Sequence, residues 1–180
     1  MRPSHRRPRT TPSRTSVRAC VGLGSNLAHP RRQLARAIAA MRRLPRTRVV
    51  AVSPNYVTAP VDVDGPQPDY VNAVAMLDTQ LAPRALLARL NAIERRHRRE
   101  RGARNAPRTL DLDLLLFGRR RMRVARLDLP HPRMHLRAFV LRPLTDVAPA
   151  VTIPGRGLAR HRMREVRGQR IARTRTHQDR

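Results

Sequence analysis

A chain of 180 residues, 40% hydrophobic, is long enough for one domain with a substantial core, and no apolar run approaches the ~18 residues of a membrane span. Its net charge of +27 comes from 39 basic residues, all arginine, against 12 acids, a balance that binds polyanions nonspecifically at low salt. Cys20 is the single cysteine, which excludes an intramolecular disulfide, and the basic N-terminus leads into no apolar signal core, so the expected location is a reducing cytoplasm.

Residues 1–16 mix Arg, Pro, Ser and Thr without periodicity and are expected to be a disordered basic extension. Val17 to Leu23 reads as the first strand, with Cys20 a small buried hydrophobe. Gly22-Leu23-Gly24-Ser25-Asn26 then reads as a tight strand-to-helix turn. This G-x-G lacks the Lys-Ser/Thr of a P-loop, so spacing alone favours a structural turn over phosphate binding. Pro30 opens a helix to about Arg43, with Leu34, Ile38 and Met41 on one face and Arg31, Arg32, Arg36 and Arg42 in water. Val49–Ser53 and Tyr56–Thr58 read as strands. The Pro/Gly/Asp-rich stretch 59–69 is a loop of a length that is commonly functional. Val71–Leu77 is the next strand, and alternation puts Tyr70 and Asn72 on one side of it. A second helix starts at Leu81-Ala82-Pro83, with Leu86, Leu87, Leu90 and Ile93 on one face, and fades near His97. The arginines that follow, from Arg95 to Arg104, fit either a solvated helix end or a clamp folding over a triphosphate.

The run from Arg104 to Phe117 is the most informative. Asp111 and Asp113 stand one residue apart in an apolar strand, so they share a face while Leu110, Leu112 and Leu114 point the other way. Their backbones are about 6–7 Å apart, a spacing at which two carboxylates repel unless a cation lies between them. Hard Mg²⁺ ions are the usual occupants in phosphate chemistry, yet the pattern fits a solvated edge strand equally well. Pro107 holds the approach extended, and Arg104 and Arg108 supply forked donors suited to phosphate oxygens. Gly118–Arg121 is a turn into Met122-Arg123-Val124, a short hairpin partner. His131 lies between Pro130 and Pro132, and a lone histidine is more often structural than catalytic. Beyond Gly155 the Arg-rich chain shows no apolar stripe and reads as a frayed helix or a disordered tail, residues 155–180.

Arg104, Ala106, Pro107, Arg108, Asp111, Leu112, Asp113, Leu114 and Leu115 fill every position of a signature that resembles that of the 6-hydroxymethyl-7,8-dihydropterin pyrophosphokinases of folate biosynthesis. Gly24-Ser25-Asn26-Leu27 is similar to the N-terminal landmark of the same family, and the resemblance spans roughly Arg18 to Pro154. It implies an α+β, ferredoxin-like fold with a largely antiparallel sheet, helices packed on it and a pyrophosphokinase domain over 17–154. Irregular alternation of strands and helices points to the same class. The resemblance further implies ATP as co-substrate and two Mg²⁺ on Asp111 and Asp113. Arg99, Arg126, His131 and Arg137 would lie on ATP, with Arg99, Arg108 and Arg137 serving catalysis, and Tyr70, Asn72 and Phe139 on the pterin. Asn105 stands where many relatives have tryptophan, Pro132 where tyrosine is frequent, and Leu136 where a polar residue is common. A monomer acting on small molecules is expected, with nonspecific polyanion binding through the tails.

Two alternatives come from other classes. A basic RNA-binding or ribosome-associated protein suits the charge, but four aromatics (Tyr56, Tyr70, Phe117 and Phe139) are too few for stacking platforms. A different two-metal enzyme such as a nuclease would need more acidic ligands than lie near the motifs.

Overall fold

The computed structural model describes residues 15–60, 66–97 and 109–174. The expectation for the N-terminal extension, the middle of the 59–69 loop and the arginines Arg99, Arg104 and Arg108 therefore fall outside the described residues, apart from positions 15 and 16. The elements in order are β1 (Val17–Ser25), α1 (Pro30–Arg42), β2 (Thr47–Val52), β3 (Tyr56–Thr58), β4 (Tyr70–Thr79), α2 (Pro83–Arg96) and β5 (Asp111–Phe117). After them come β6 (Met122–Val124), β7 (Leu127–Leu129), α3 (Ala138–Val147), β8 (Thr152–Ile153), β9 (Gly157–Leu158), α4 (Ala159–Arg162) and β10 (Ile171–Arg173).

β4 is the axis of a six-stranded antiparallel sheet. β1 pairs along its full length on one flank, and β2 and β3 follow each other along the other. β5 adds outside β1, and β10 outside β3. From Val71 to Leu77 every β4 residue is buried, because both faces of the sheet are covered. One face packs Ala19, Val21, Leu23, Leu112 and Leu114 against Leu34 and Met41 of α1 and Leu86, Leu90 and Ile93 of α2. The other packs Cys20, Val74, Met76 and Leu115 under Leu141 and Leu144 of α3. This is an α+β domain with an antiparallel sheet, as expected.

Proline opens both α1 and α2, its missing N–H costing nothing in a first turn. Ile38 is only partly buried on α1, whose inner face carries Gln33 and Ala37 beside Leu34 and Met41. Three readings change. The first strand does not stop at Leu23 but runs to Ser25, so Gly22 and Gly24 belong to the sheet rather than to a turn. Met122–Val124 takes β7 as its hairpin partner. Residues 155–174 do not fray: β9 pairs with β8, Ala159 and Val166 are buried, and β10 closes the sheet edge along β3.

Candidate active site

Register places the site. On β1, Gly24 lies opposite Asn72 of β4 on one side and Asp111 of β5 on the other, and Gly22 lies opposite Val74 and Asp113. The period of two turns Asn72, Gly24, Gly22, Asp111 and Asp113 to one face of the sheet. The two glycines put no side chain on that face at its centre, beside a cavity of about 340 Å³, although Leu115 lies close over Gly22. A Cβ on Gly24 would lie 3.2 Å from Asn72 Oδ1 and 4.0 Å from Asp111 Cβ.

The walls differ in chemistry. Asn72, buried in β4, donates from Nδ2 to Thr58 Oγ1 at 2.9 Å, which fixes its amide at the cavity edge. Tyr70 lines the same wall. The segment leading into α3 and the first turn of that helix form the roof, where the Arg137 guanidinium lies 5.3 Å from the centre of the Phe139 ring, a cation–π contact that ties the two together. The far wall carries Asp111 and Asp113, both partly exposed.

His131 adjoins this carboxylate wall, its Nε2 3.9 Å from Asp113 Oδ2. Its backbone N–H donates to the Leu115 carbonyl at 2.9 Å, which anchors it to β5. Burial, then the nearby Arg137 and Arg133, push its pKa down to about 4, so the imidazole is neutral at ordinary pH. The Arg133 N–H approaches Nδ1 at 3.4 Å, and with Nδ1 as acceptor the ring proton belongs on Nε2, facing Asp113.

Three contacts hold the sheet end in shape. Ser25 Oγ donates to the Thr109 carbonyl at 2.6 Å, joining the end of β1 to the entry of β5. The buried Glu94 of α2 accepts the Leu112 N–H at 2.8 Å, which satisfies an outward-facing donor of the edge strand between the two aspartates. Asn26 Nδ2 donates to the Pro68 carbonyl at 3.2 Å and tethers the loop before β4.

The donor set suits magnesium. Mg²⁺ prefers oxygen ligands and keeps several waters, so it is held by one or two carboxylates plus substrate phosphates. Asp111 and Asp113 are such a pair, open to the cavity, and among the described residues no group of three or more His, Cys, Asp or Glu forms a closed metal cage.

Of the residues singled out from sequence, Tyr70, Asn72, Asp111, Asp113, Arg137 and Phe139 meet around one cavity. His131 stands beside Asp113. Arg126 sits at the exposed β6–β7 turn with φ 65° and is not among the cavity's lining residues. Arg99 and Arg108 lie outside the described residues. Arg133 and Gln169 also line the cavity and were not anticipated. Arg133 carried a signal, being two residues from His131, whereas Gln169 had none because it arrives from a tail that reads as unstructured.

The sequence profile of the family described as 7,8-dihydro-6-hydroxymethylpterin-pyrophosphokinase (HPPK) matches residues 20–149. The Pseudomonas aeruginosa 2-amino-4-hydroxy-6-hydroxymethyldihydropteridine pyrophosphokinase is 54% identical over 139 residues, covering 76% of this chain and 84% of that protein. The Haemophilus influenzae protein of the same name is 44% identical over 140 residues, 77% of this chain and 86% of that one. Among solved structures, Plasmodium falciparum HPPK-DHPS with pteroate superposes with a TM-score of 0.64 at 12% identity, a likeness of fold, over 86% of this chain and 44% of that one. A signature-bearing strand, a matching profile over most of its length and close relatives agree: the chain belongs to the 7,8-dihydro-6-hydroxymethylpterin-pyrophosphokinase family.

Proposed function

We propose that the chain transfers pyrophosphate from ATP to the hydroxymethyl group of 6-hydroxymethyl-7,8-dihydropterin, releasing AMP, a step of folate biosynthesis. The observation that carries this reading is the shared cavity: the Asp111/Asp113 pair lines the same cavity as Asn72 and Phe139, with Gly22 and Gly24 of β1 between the strands that carry Asn72 and the two aspartates. A flat heterocycle with donors and acceptors on its edge suits the Asn72 side, and a magnesium triphosphate suits the carboxylate side.

Asn72 reads the pterin edge, with its amide held by Thr58, while Phe139 covers the ring and Tyr70 bounds the pocket. The substrate hydroxyl oxygen attacks the β-phosphorus, the bond to the α-phosphate oxygen breaks, AMP leaves and the hydroxyl proton passes to solvent. Arg137 at the roof stabilises charge that moves toward the leaving group, and His131 offers its Nε2–H to a phosphate oxygen near Asp113. Arg99, Arg108 and Arg126 are assigned to the phosphates by their places in the family's motifs. Two Mg²⁺ held by Asp111 and Asp113 would supply charge neutralisation of the triphosphate and a lowered hydroxyl pKa. The remaining contribution of the protein is alignment of two substrates in one cavity.

Among the described residues no helix is long and apolar enough to cross a membrane. The RNA-binding alternative gains nothing from the relatives, which carry the pyrophosphokinase name. The test is AMP release from ATP and Mg²⁺ with and without the pterin, in about 0.3 M salt to screen polyanion contacts. AMP that appears only with pterin is the expected result, and none from folded protein would overturn the reading.

A further inference from the structure

We infer that Gln169, in the C-terminal segment, is a positioning residue that sets the Arg137–Phe139 roof of the cavity; this rests on the function proposed above. Its side-chain amide bridges two consecutive peptide groups. Oε1 accepts the Ala138 N–H at 2.7 Å, and Nε2 donates to the Leu136 carbonyl at 2.8 Å. Those groups flank Arg137, so one side chain holds the backbone on both sides of the roof arginine.

The position is one that needs such help. Arg137 has an extended backbone (φ −125°, ψ 111°) and is the N-cap of α3, with no side-chain cap bond of its own. The Ala138 N–H is among the first-turn donors that a helix cannot satisfy internally. Leu136, whose carbonyl is the other partner, is 52% exposed and gains little anchoring from burial. Gln169 supplies what a capping side chain would supply, but from a distant segment. That segment is itself anchored: the Gln169 N–H donates to the Val166 carbonyl, Val166 is 3% exposed, and β10 begins two residues later against β3. The tail beyond the matched family segment thus completes the site rather than trailing from it.

The test compares Gln169→Met, similar in length but without either hydrogen bond, with the wild type and with Arg170→Ala at the exposed neighbour. Amide hydrogen exchange over residues 136–140 should rise at least tenfold in Gln169→Met and stay unchanged in Arg170→Ala. In the same variant kcat should fall about tenfold or more, as misplacement of a positioned group does, while KM for ATP shifts less than about twofold. Gln169→Glu, which keeps the acceptor and loses the donor, should fall between the two and serves if Gln169→Met does not fold. Wild-type kcat in either folded variant overturns the inference, whether or not exchange rises. Absence of pterin-dependent AMP from the wild type would instead strike the proposed function, and the exchange arm would still read the clamp.

Discussion

Gly24 has no side chain to offer a substrate, and its contribution is the space it leaves. Its φ is not in the left-handed region, so alanine fits the strand backbone, but the new Cβ would stand 3.2 Å from Asn72 Oδ1. Asn72 is tied to Thr58 and buried between strands, so it cannot swing aside cheaply. Gly24→Ala should therefore raise KM for the pterin about tenfold, the scale of a disturbed polar contact, with Tm within a few degrees of wild type. Unchanged pterin KM would show that Asn72 does not read the substrate. Asp113→Ala belongs to the same scale. Its carboxylate is 42% exposed, so the fold should persist while turnover drops by on the order of a thousandfold or more. Near-normal turnover would contradict the metal role. These residues were legible because alternation along a strand is a local property: Asp111, Asp113, Tyr70 and Asn72 sit on the faces that period two assigns. Gly22 and Gly24 carried the same alternation, yet glycines near Ser-Asn also spell a turn, and only pairing with β4 and β5 decides between them.

At the scale of elements, β5 is an edge strand whose Leu112 N–H points away from β1, and α2 answers it through Glu94. Leu112 is 2% exposed, so removing the carboxylate strands a buried donor between the two aspartates. Glu94→Ala should cost roughly 1.5–3 kcal/mol in urea unfolding, the range for losing a hydrogen bond to a charged group, and should lower kcat as well. A stability loss with no change in kcat would mean that Asp111 and Asp113 hold their geometry without α2. The helices α1 and α2 and the strand β5 were readable because each has either a clear apolar period or a proline start. The segment 155–174 was not. Its order comes from Val166 and Ala159 entering the core under α3 and from β10 pairing with β3, contacts more than a hundred residues apart in the chain for the latter. A three-residue strand that pairs at such long range leaves no local periodicity to find.

The whole molecule carries a net charge of +27, and self-repulsion at that density opposes the compact state. Few described ion pairs offset it, among them Asp78 with Arg18 and Arg48, which hold its carboxyl below the usual range. Three histidines add a pH dependence of known sign. His97, His131 and His135 all titrate below the ordinary value, in each case chiefly through burial. The unfolded chain therefore binds protons that the folded chain refuses between about pH 6.5 and the folded values, and stability must fall as pH drops through that window. His131, moved to about 4, contributes on the order of 2 kcal/mol to that loss by pH 5. Two mechanisms thus act together in acid, and salt separates them. Raising NaCl from about 0.05 to 0.5 M shortens the Debye length and weakens repulsion between exposed arginines, so Tm should rise at every pH. Burial of an imidazole is not screened, so the gap in Tm between pH 7.5 and pH 5 should persist at high salt. His131→Gln should narrow that gap in both salts. A gap that closes in 0.5 M NaCl would assign the acid sensitivity to surface charge and leave these three histidines without a part in it.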